Sequence, residues 1–170
     1  EEIQPFDLLP KLNKKNIAID TKIAFITKDI LREALQRGSN GRKTKILNRS
    51  DIAGKTGTTN NYIDAWFLGF TPKLLTGVWV GKDDVEPLGK NETGSRTAIP
   101  IWLEYMKNAL VNTPIHNFPV TPETVFAKIN PETGSLTNSE DSKGFFEIFS
   151  QDNLPSRQNN PSELTANSTF

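Results

Sequence analysis

AGKTGTTNNYIDAWFLGFTPKLLTGVWVG, Ala53 to Gly81, holds apolar and β-branched runs separated by short polar breaks. Asp51 to Thr58, Asp64 to Thr71 and Leu74 to Gly81 read as strands. The links Thr59-Asn60-Asn61 and Pro72-Lys73 are too short for a parallel crossover, which takes about a dozen residues or more. The three strands are therefore expected to form an antiparallel meander. Upstream, Asp20 is placed to cap a helix, and Ile23, Ile26, Ile30, Leu31, Ala34 and Leu35 recur at helical spacing before Gly38 stops it. This stripe is expected to lie against the sheet. The polar, glycine-bearing stretch from Gly38 to Ser50 reads as a loop. Downstream, Pro100 sits near a helix start, and Ile99, Trp102, Leu103, Met106 and Leu110 form an amphipathic face ending before Pro114. The fold class expected is α/β, an antiparallel sheet flanked by helices.

The two ends of the chain differ from this centre. Residues 1–18 carry prolines and a Lys-Asn cluster without sustained periodicity and read as an extended lead-in. From residue 113 onward the composition turns to Pro, Asn and Ser, with seven acidic against three basic residues from Thr121 to the end. Only Val120 to Leu136 and Gly144 to Phe149 keep strand-like patches. This stretch, 113–170, reads as an extended C-terminal tail, packed in places and fraying from about Asn159.

Composition removes several chemistries. Twenty basic and twenty acidic residues cancel, so no global charge points to nucleic acid or a membrane surface. The basic run from Arg32 to Arg49 reads as a solvated helix end and loop. The chain has no cysteine and one histidine, His116, so thiol nucleophiles, disulfides and Cys/His metal clusters are excluded. Asp83 and Asp84 read as loop acids rather than a metal pair, and no cofactor or metal is expected. The apolar runs fall far short of the roughly 20 residues that span a bilayer. Neither anchor nor signal is read in the chain, which is taken as a piece of something longer.

Gly54-Lys55-Thr56 has the ending of a phosphate-binding loop. Such a loop needs a glycine five residues before the second one, so that successive N–H groups can turn toward the phosphates. Arg49 stands there, and a strand rather than a helix follows the lysine. On a strand, Lys55 and Gly57 point to one face, and Thr56 and Thr58 to the other, with edge twist able to bring ammonium and hydroxyls toward one cleft. Gly57 leaves room for a ligand backbone lying along the edge. These groups suit the C-terminus of a peptide, though the tripeptide alone is better read as a twisted strand with surface threonines.

The longer stretch AGKTGTTNNYIDAWFLGFTPKLLTGVWVGKDD, Ala53 to Asp84, resembles the Lys-Thr-Gly region of the penicillin-recognising serine transpeptidases, and within them the bifunctional class A penicillin-binding proteins. The resemblance runs from about Ile19 through TGSRTAIPIW to Val111, and FPVTPETVFAKINPETGSLT and FFEIFSQDNLP resemble the family's C-terminal extension. It implies that residues 19–112 are the C-terminal part of a transpeptidase domain of the serine β-lactamase/penicillin-binding fold. In that family a serine in S-x-x-K attacks the carbonyl before the terminal D-alanine of a cell-wall stem peptide, and an amine of a neighbouring strand resolves the acyl-enzyme. Carried onto this chain, the resemblance makes Lys55 and Thr58 catalytic and Thr56, Gly57 and Thr58 substrate-binding. Lys55 would supply charge beside the substrate carboxylate, the hydroxyls of Thr56 and Thr58 would bond that carboxylate, and the Thr58 N–H would be half of an oxyanion hole.

No serine here is followed three residues later by lysine, and none begins S-x-N. The chain alone is therefore expected to be inactive. Its implied partners are the stem peptide, β-lactams and an upstream part of the same protein, and no nucleic acid. Its implied place is the periplasmic or extracytoplasmic side of the inner membrane, anchored by a missing N-terminal segment. Two alternatives stay open: a non-catalytic interaction module, and a serine β-lactamase-like hydrolase.

Overall fold

A computed structural model of the chain describes residues 17–157, apart from 39 and 139. The lead-in expected over 1–18 lies outside these residues but for its last two, and the fraying expected from about Asn159 lies wholly outside. The architecture is α/β. The sheet is a meander of β1 (Ala53–Thr58), β2 (Ala65–Phe70) and β3 (Leu75–Val80), all antiparallel in sequential order. Lys55 faces Leu68 and Gly57 faces Trp66 across β1 and β2; Leu68 faces Gly77 and Trp66 faces Trp79 across β2 and β3.

Among the described residues the α-helices are α1 (Thr21–Arg37), the single turn α2 (Gly41–Thr44) and α3 (Ile99–Ala109). In α3, Pro100 sits in the first turn, where a missing N–H costs nothing. Trp102 and Met106 are fully buried on one sheet face with Phe67, Ile52 and Leu35. Trp102 meets the Phe67 ring edge to face at 5.0 Å, and its indole N–H donates to the Gly69 carbonyl at 3.3 Å. A Cβ at Gly69 would stand 2.5 Å from the Trp102 ring. Glycine is what lets the helix lie this close to the strand.

The opposite face of the sheet is open. Trp66, Leu68, Leu75 and Trp79 alternate with the core residues and are exposed. Only one sheet face is covered among the described residues.

Helix α1 has the expected ends, with the Asp20 side chain accepting from the Lys22 N–H and Gly38 at the C-cap. Its orientation corrects the expectation. The buried residues are Phe25, Asp29 and Leu35, whereas Ile23, Ile30 and Ala34 face out. The side turned inward accommodates charge by pairing it. Arg32 contacts Asp29 at 2.9 Å, and the Lys28 ammonium lies 4.0 Å from the centre of the Phe25 ring and 4.9 Å from that of Phe118. Burial pushes Lys28 below its ordinary pKa more than Asp29 restores it.

The stretch Gly38 to Ser50, read as loop, contains α2 and a 3-10 turn, Lys45–Leu47. Tertiary contacts hold it: the Lys43 ammonium donates to the Ser95 carbonyl at 2.6 Å, the Ser95 hydroxyl bonds the Asn40 side chain, and a Cβ at Gly41 would clash with the Gln36 carbonyl. Three of the six basic residues of the run are paired with acids, Arg32 with Asp29, Arg37 with Glu33 and Arg49 with Asp51.

Beyond α3 the chain makes a second antiparallel pair, β4 (Thr124–Ile129) with β5 (Phe145–Ser150). Strand β4 falls within a patch read from sequence, and β5 does so but for its last residue, Ser150; their pairing was not read. The hairpin lies against α1, where Ile148 is buried and Lys22 pairs with Asp152 at 2.6 Å. Among the described residues no helix is long and apolar enough to cross a membrane.

Candidate functional site

Strand β1 changes character along its length. Ala53 and Gly54 are buried, Lys55 is exposed, Thr56 and Gly57 are half-buried, and Thr58 is exposed. It is also a sheet edge, paired with β2 alone among the described strands. The residues Lys55, Thr56, Gly57 and Thr58 therefore occupy the open half of an edge strand, where one row of backbone groups has no strand beside it.

The buried half is fixed by an ion pair that sequence reading missed. The Arg49 guanidinium grips Asp51 with two parallel bonds, Nε to Oδ1 at 2.9 Å and Nη2 to Oδ2 at 2.7 Å. Its remaining donors reach the carbonyls of Thr113 at 2.7 Å and Pro114 at 2.9 Å, and the His116 N–H donates to Asp51 at 3.1 Å. Both side chains are buried. Burial alone would raise the Asp51 carboxyl, but the Arg49 bonds, the His116 N–H and the Arg49 charge outweigh it and hold the group below its ordinary value. The arrangement ties the entry of β1 to the segment leaving α3. A basic and an acidic residue flanking one position, just before an apolar strand, were its only trace in the sequence.

At the open half, the register places Lys55 and Gly57 on the face shared with Leu68, Trp66 and Trp79. Thr56 and Thr58 take the α3 side. The Lys55 ammonium folds back and donates to the Thr56 carbonyl at 2.8 Å, which brings it alongside the strand's own backbone. A Cβ at Gly57 would meet only the Trp66 side chain within 4 Å, at 3.2 Å. Trp66 and Trp79 lie 6.1 Å apart, and the Trp79 N–H donates to Asp64 at 2.9 Å. The Asp64 N–H in turn donates to the Thr59 hydroxyl at 2.7 Å. Asp64 thus closes the turn that ends the motif strand, where Asn61 and Tyr62 adopt left-handed backbone.

The second contributor is the π-helical turn Gly94–Ala98 that leads into α3. The Gly94 N–H donates to the Thr58 hydroxyl oxygen at 3.0 Å. A Cβ on Gly94 would stand 2.2 Å from the Trp66 carbonyl and 2.7 Å from that of Gly57. The turn is pressed against the motif strand so closely that only glycine fits. Since the Thr58 oxygen accepts this bond, its proton stays available for an outside acceptor. The strand thus carries an ammonium on one face and threonine hydroxyls on the other, with an edge backbone between them, and each of these donors suits a carboxylate or carbonyl. Among the described residues no group of three or more His, Asp or Glu is placed to hold a metal ion.

No protein-family model matches the chain. It is 40% identical over 137 residues to penicillin-binding protein 1A of Pseudomonas aeruginosa, an alignment covering 81% of this chain and 16% of that protein. It is 46% identical over 104 residues to penicillin-binding protein 1A of Aquifex aeolicus, covering 61% and 14%. The crystal structure of penicillin-binding protein 1A from Haemophilus influenzae superposes with a TM-score of 0.74 at 35% identity, over 84% of this chain and 22% of that one. The chain thus spans about one-sixth of the length of the curated relatives it matches. Fold and sequence agree, and the chain belongs to the class A penicillin-binding proteins, of which it represents a segment bearing the Lys-Thr-Gly strand.

Proposed function

We propose that this segment supplies one wall of the active site of a peptidoglycan D,D-transpeptidase, which cross-links stem peptides through an acyl-enzyme and is acylated by β-lactams. Lys55 places positive charge beside the substrate carboxylate and the proton-transfer network. The hydroxyls of Thr56 and Thr58 bond that carboxylate, Gly57 admits the peptide backbone, and the Thr58 N–H stabilises the oxyanion. The attacking serine and its lysine come from another part of the same polypeptide, which also carries the anchor to the extracytoplasmic face of the inner membrane. The observation that carries this reading is the Thr58 hydroxyl: it sits on an open edge strand and accepts from Gly94, so its own proton is free to meet a ligand.

A fluorescent penicillin tests it. The isolated chain is expected to take no covalent label, while the complete protein is labelled stoichiometrically. A label mapped to any residue of the isolated chain would contradict the assignment of the nucleophile elsewhere. In the complete protein, Lys55→Ala is expected to slow acylation about ten- to a hundredfold, the scale of one charge-assisted hydrogen bond. Its melting temperature should change little, because an exposed lysine contributes little to folding. Acylation at the wild-type rate would remove Lys55 from the site.

A further inference from the structure

Asp64 stands where the motif strand stops. The Thr59 N–H donates to the Asp64 carbonyl at 3.1 Å, which makes Thr59 and Asp64 the last bonded rung between β1 and β2. Bonded and unbonded rungs alternate in an antiparallel pair. The N–H groups of Thr59, Gly57 and Lys55 therefore point toward β2, and those of Thr58 and Thr56 point out of the open edge. The Lys55 ammonium reaches the Thr56 carbonyl, which lies on that same outer row. The direction of the Thr58 N–H is thus set by a rung one residue away, and side chains hold that rung. The Asp64 N–H donates to the Thr59 hydroxyl at 2.7 Å, that hydroxyl donates to Asp64 Oδ2 at 3.3 Å, and the Trp79 indole N–H donates to Asp64 Oδ1 at 2.9 Å. Trp79 reaches Asp64 because its ring lies over Gly81, where a Cβ would stand 2.4 Å from the indole. Beyond the rung the chain leaves the sheet through a 3-10 turn, Asn60–Tyr62, with Asn61 and Tyr62 left-handed.

We propose that Asp64 is a positioning residue for acylation: its carboxylate, bridging Thr59 and Trp79, keeps the last rung closed and so holds the Thr58 N–H on the line along which an oxyanion forms. This role rests on the oxyanion assignment made above for Thr58 and deepens it. The Asp64 oxygens are taken up by Thr59 and Trp79 rather than offered to a ligand. A donor serves the transition state best when its direction is fixed before charge develops, and a hydrogen bond weakens steeply as it bends. With the carboxylate gone, the Thr59 hydroxyl and the Trp79 indole both lose their acceptor. The rung then frays into the turn, and the peptide plane carrying the Thr58 N–H gains freedom to rock. The Thr58 hydroxyl is restrained separately, by the Gly94 N–H. Its grip on a carboxylate in the ground state should therefore survive what the oxyanion loses, and the two effects separate in kinetics.

In the complete protein, acylation by a fluorescent penicillin is followed over a range of concentrations, which separates the dissociation constant of the noncovalent complex from the acylation rate constant. Asp64→Ala should lower the rate constant about tenfold, the scale of one hydrogen bond, and leave the dissociation constant within about twofold. Asp64→Asn keeps an oxygen for the indole and should recover most of the rate. Trp79→Phe, which removes the indole N–H, should slow acylation in the parent and add nothing in the Asp64→Ala background, because both changes act through one bridge. Melting temperatures establish that folded variants are compared. A parental rate constant in folded Asp64→Ala would overturn the proposal, as would a loss that falls on the dissociation constant or that asparagine does not relieve, since either marks a distorted groove. Should the alanine variant not fold, Trp79→Phe decides: slow acylation beside a near-parental Asp64→Asn supports the bridge, and a parental rate overturns it. Thr58→Pro reads the oxyanion assignment by itself. A proline variant acylated at the parental rate sinks that assignment, whereas a slow proline variant beside a parental Asp64→Ala sinks the positioning role alone.

Discussion

Thr58→Pro in the complete protein is expected to lower the second-order acylation rate by about 100- to 1000-fold, the cost of losing one oxyanion donor. Thr58→Ser should stay close to the parent. The contrast follows from the two tasks proposed for this residue. Serine keeps the N–H, keeps an oxygen to accept from Gly94, and keeps a proton for the carboxylate. Thr58→Ala is the intermediate case. It loses one carboxylate bond, about tenfold in rate, and leaves the buried Gly94 N–H without its acceptor, which costs about 1–3 kcal/mol of stability. Proline on an edge strand is tolerable when its N–H is not in the ladder. Circular dichroism and melting of each variant establish that the comparison is made on folded protein. A well-folded proline variant that acylates as fast as the serine one would show that the Thr58 N–H does not serve the oxyanion.

Arg49→Met is expected to destabilise the fold by about 3–5 kcal/mol, because it strands a carboxylate in a buried position. The melting temperature should drop by roughly 10 °C or more. Arg49 makes four hydrogen bonds here, two to Asp51 and two to carbonyls of the segment after α3, so its loss loosens both. Replacing both partners, Arg49→Met with Asp51→Leu, should recover much of the loss, since a buried pair often exceeds a hydrophobic replacement by little or nothing. A single variant as stable as the parent by urea denaturation would refute the role. The same pair sets a pH dependence. The folded Asp51 carboxyl lies below its unfolded value of about 3.9. Its contribution to stability is therefore fully present above that value, and it is lost as the pH falls through the lower, folded one. Asp51→Leu in the Arg49→Met background should flatten this acid limb.

What the sequence disclosed, and what it withheld, follows from which forces are local. The meander over Ala53 to Gly81 was legible because alternation and short links are properties of adjacent residues. The ends of α1 were legible for the same reason, through Asp20 and Gly38. Its orientation was not: the isoleucines outnumber Phe25 and Leu35, while the inward side carries Lys28, Asp29 and Arg32, which look like a solvent face until their pairing is seen. The pairing of β4 with β5 was hidden by the long link between them, since no tight turn announces it. Within the candidate site, Lys55 to Thr58 were found from the tripeptide and its surroundings. Gly94 entered only as part of TGSRTAIPIW, and its contact with Thr58, thirty-six residues away, has no local signature. Arg49 was read as the end of a solvated basic run and as the residue that spoils a phosphate-binding loop; the structure buries it against Asp51 instead.

Gly94 has a mechanical consequence. Its backbone fills the space behind Gly57 and Trp66, and the turn it opens runs without a break into α3, whose Trp102 is wedged against Gly69. Strand, turn and helix are thereby clamped into one stiff body, with no slack layer between them. A ligand settling along the outer edge of β1, as proposed, would meet a strand backed by this turn and helix rather than a free edge.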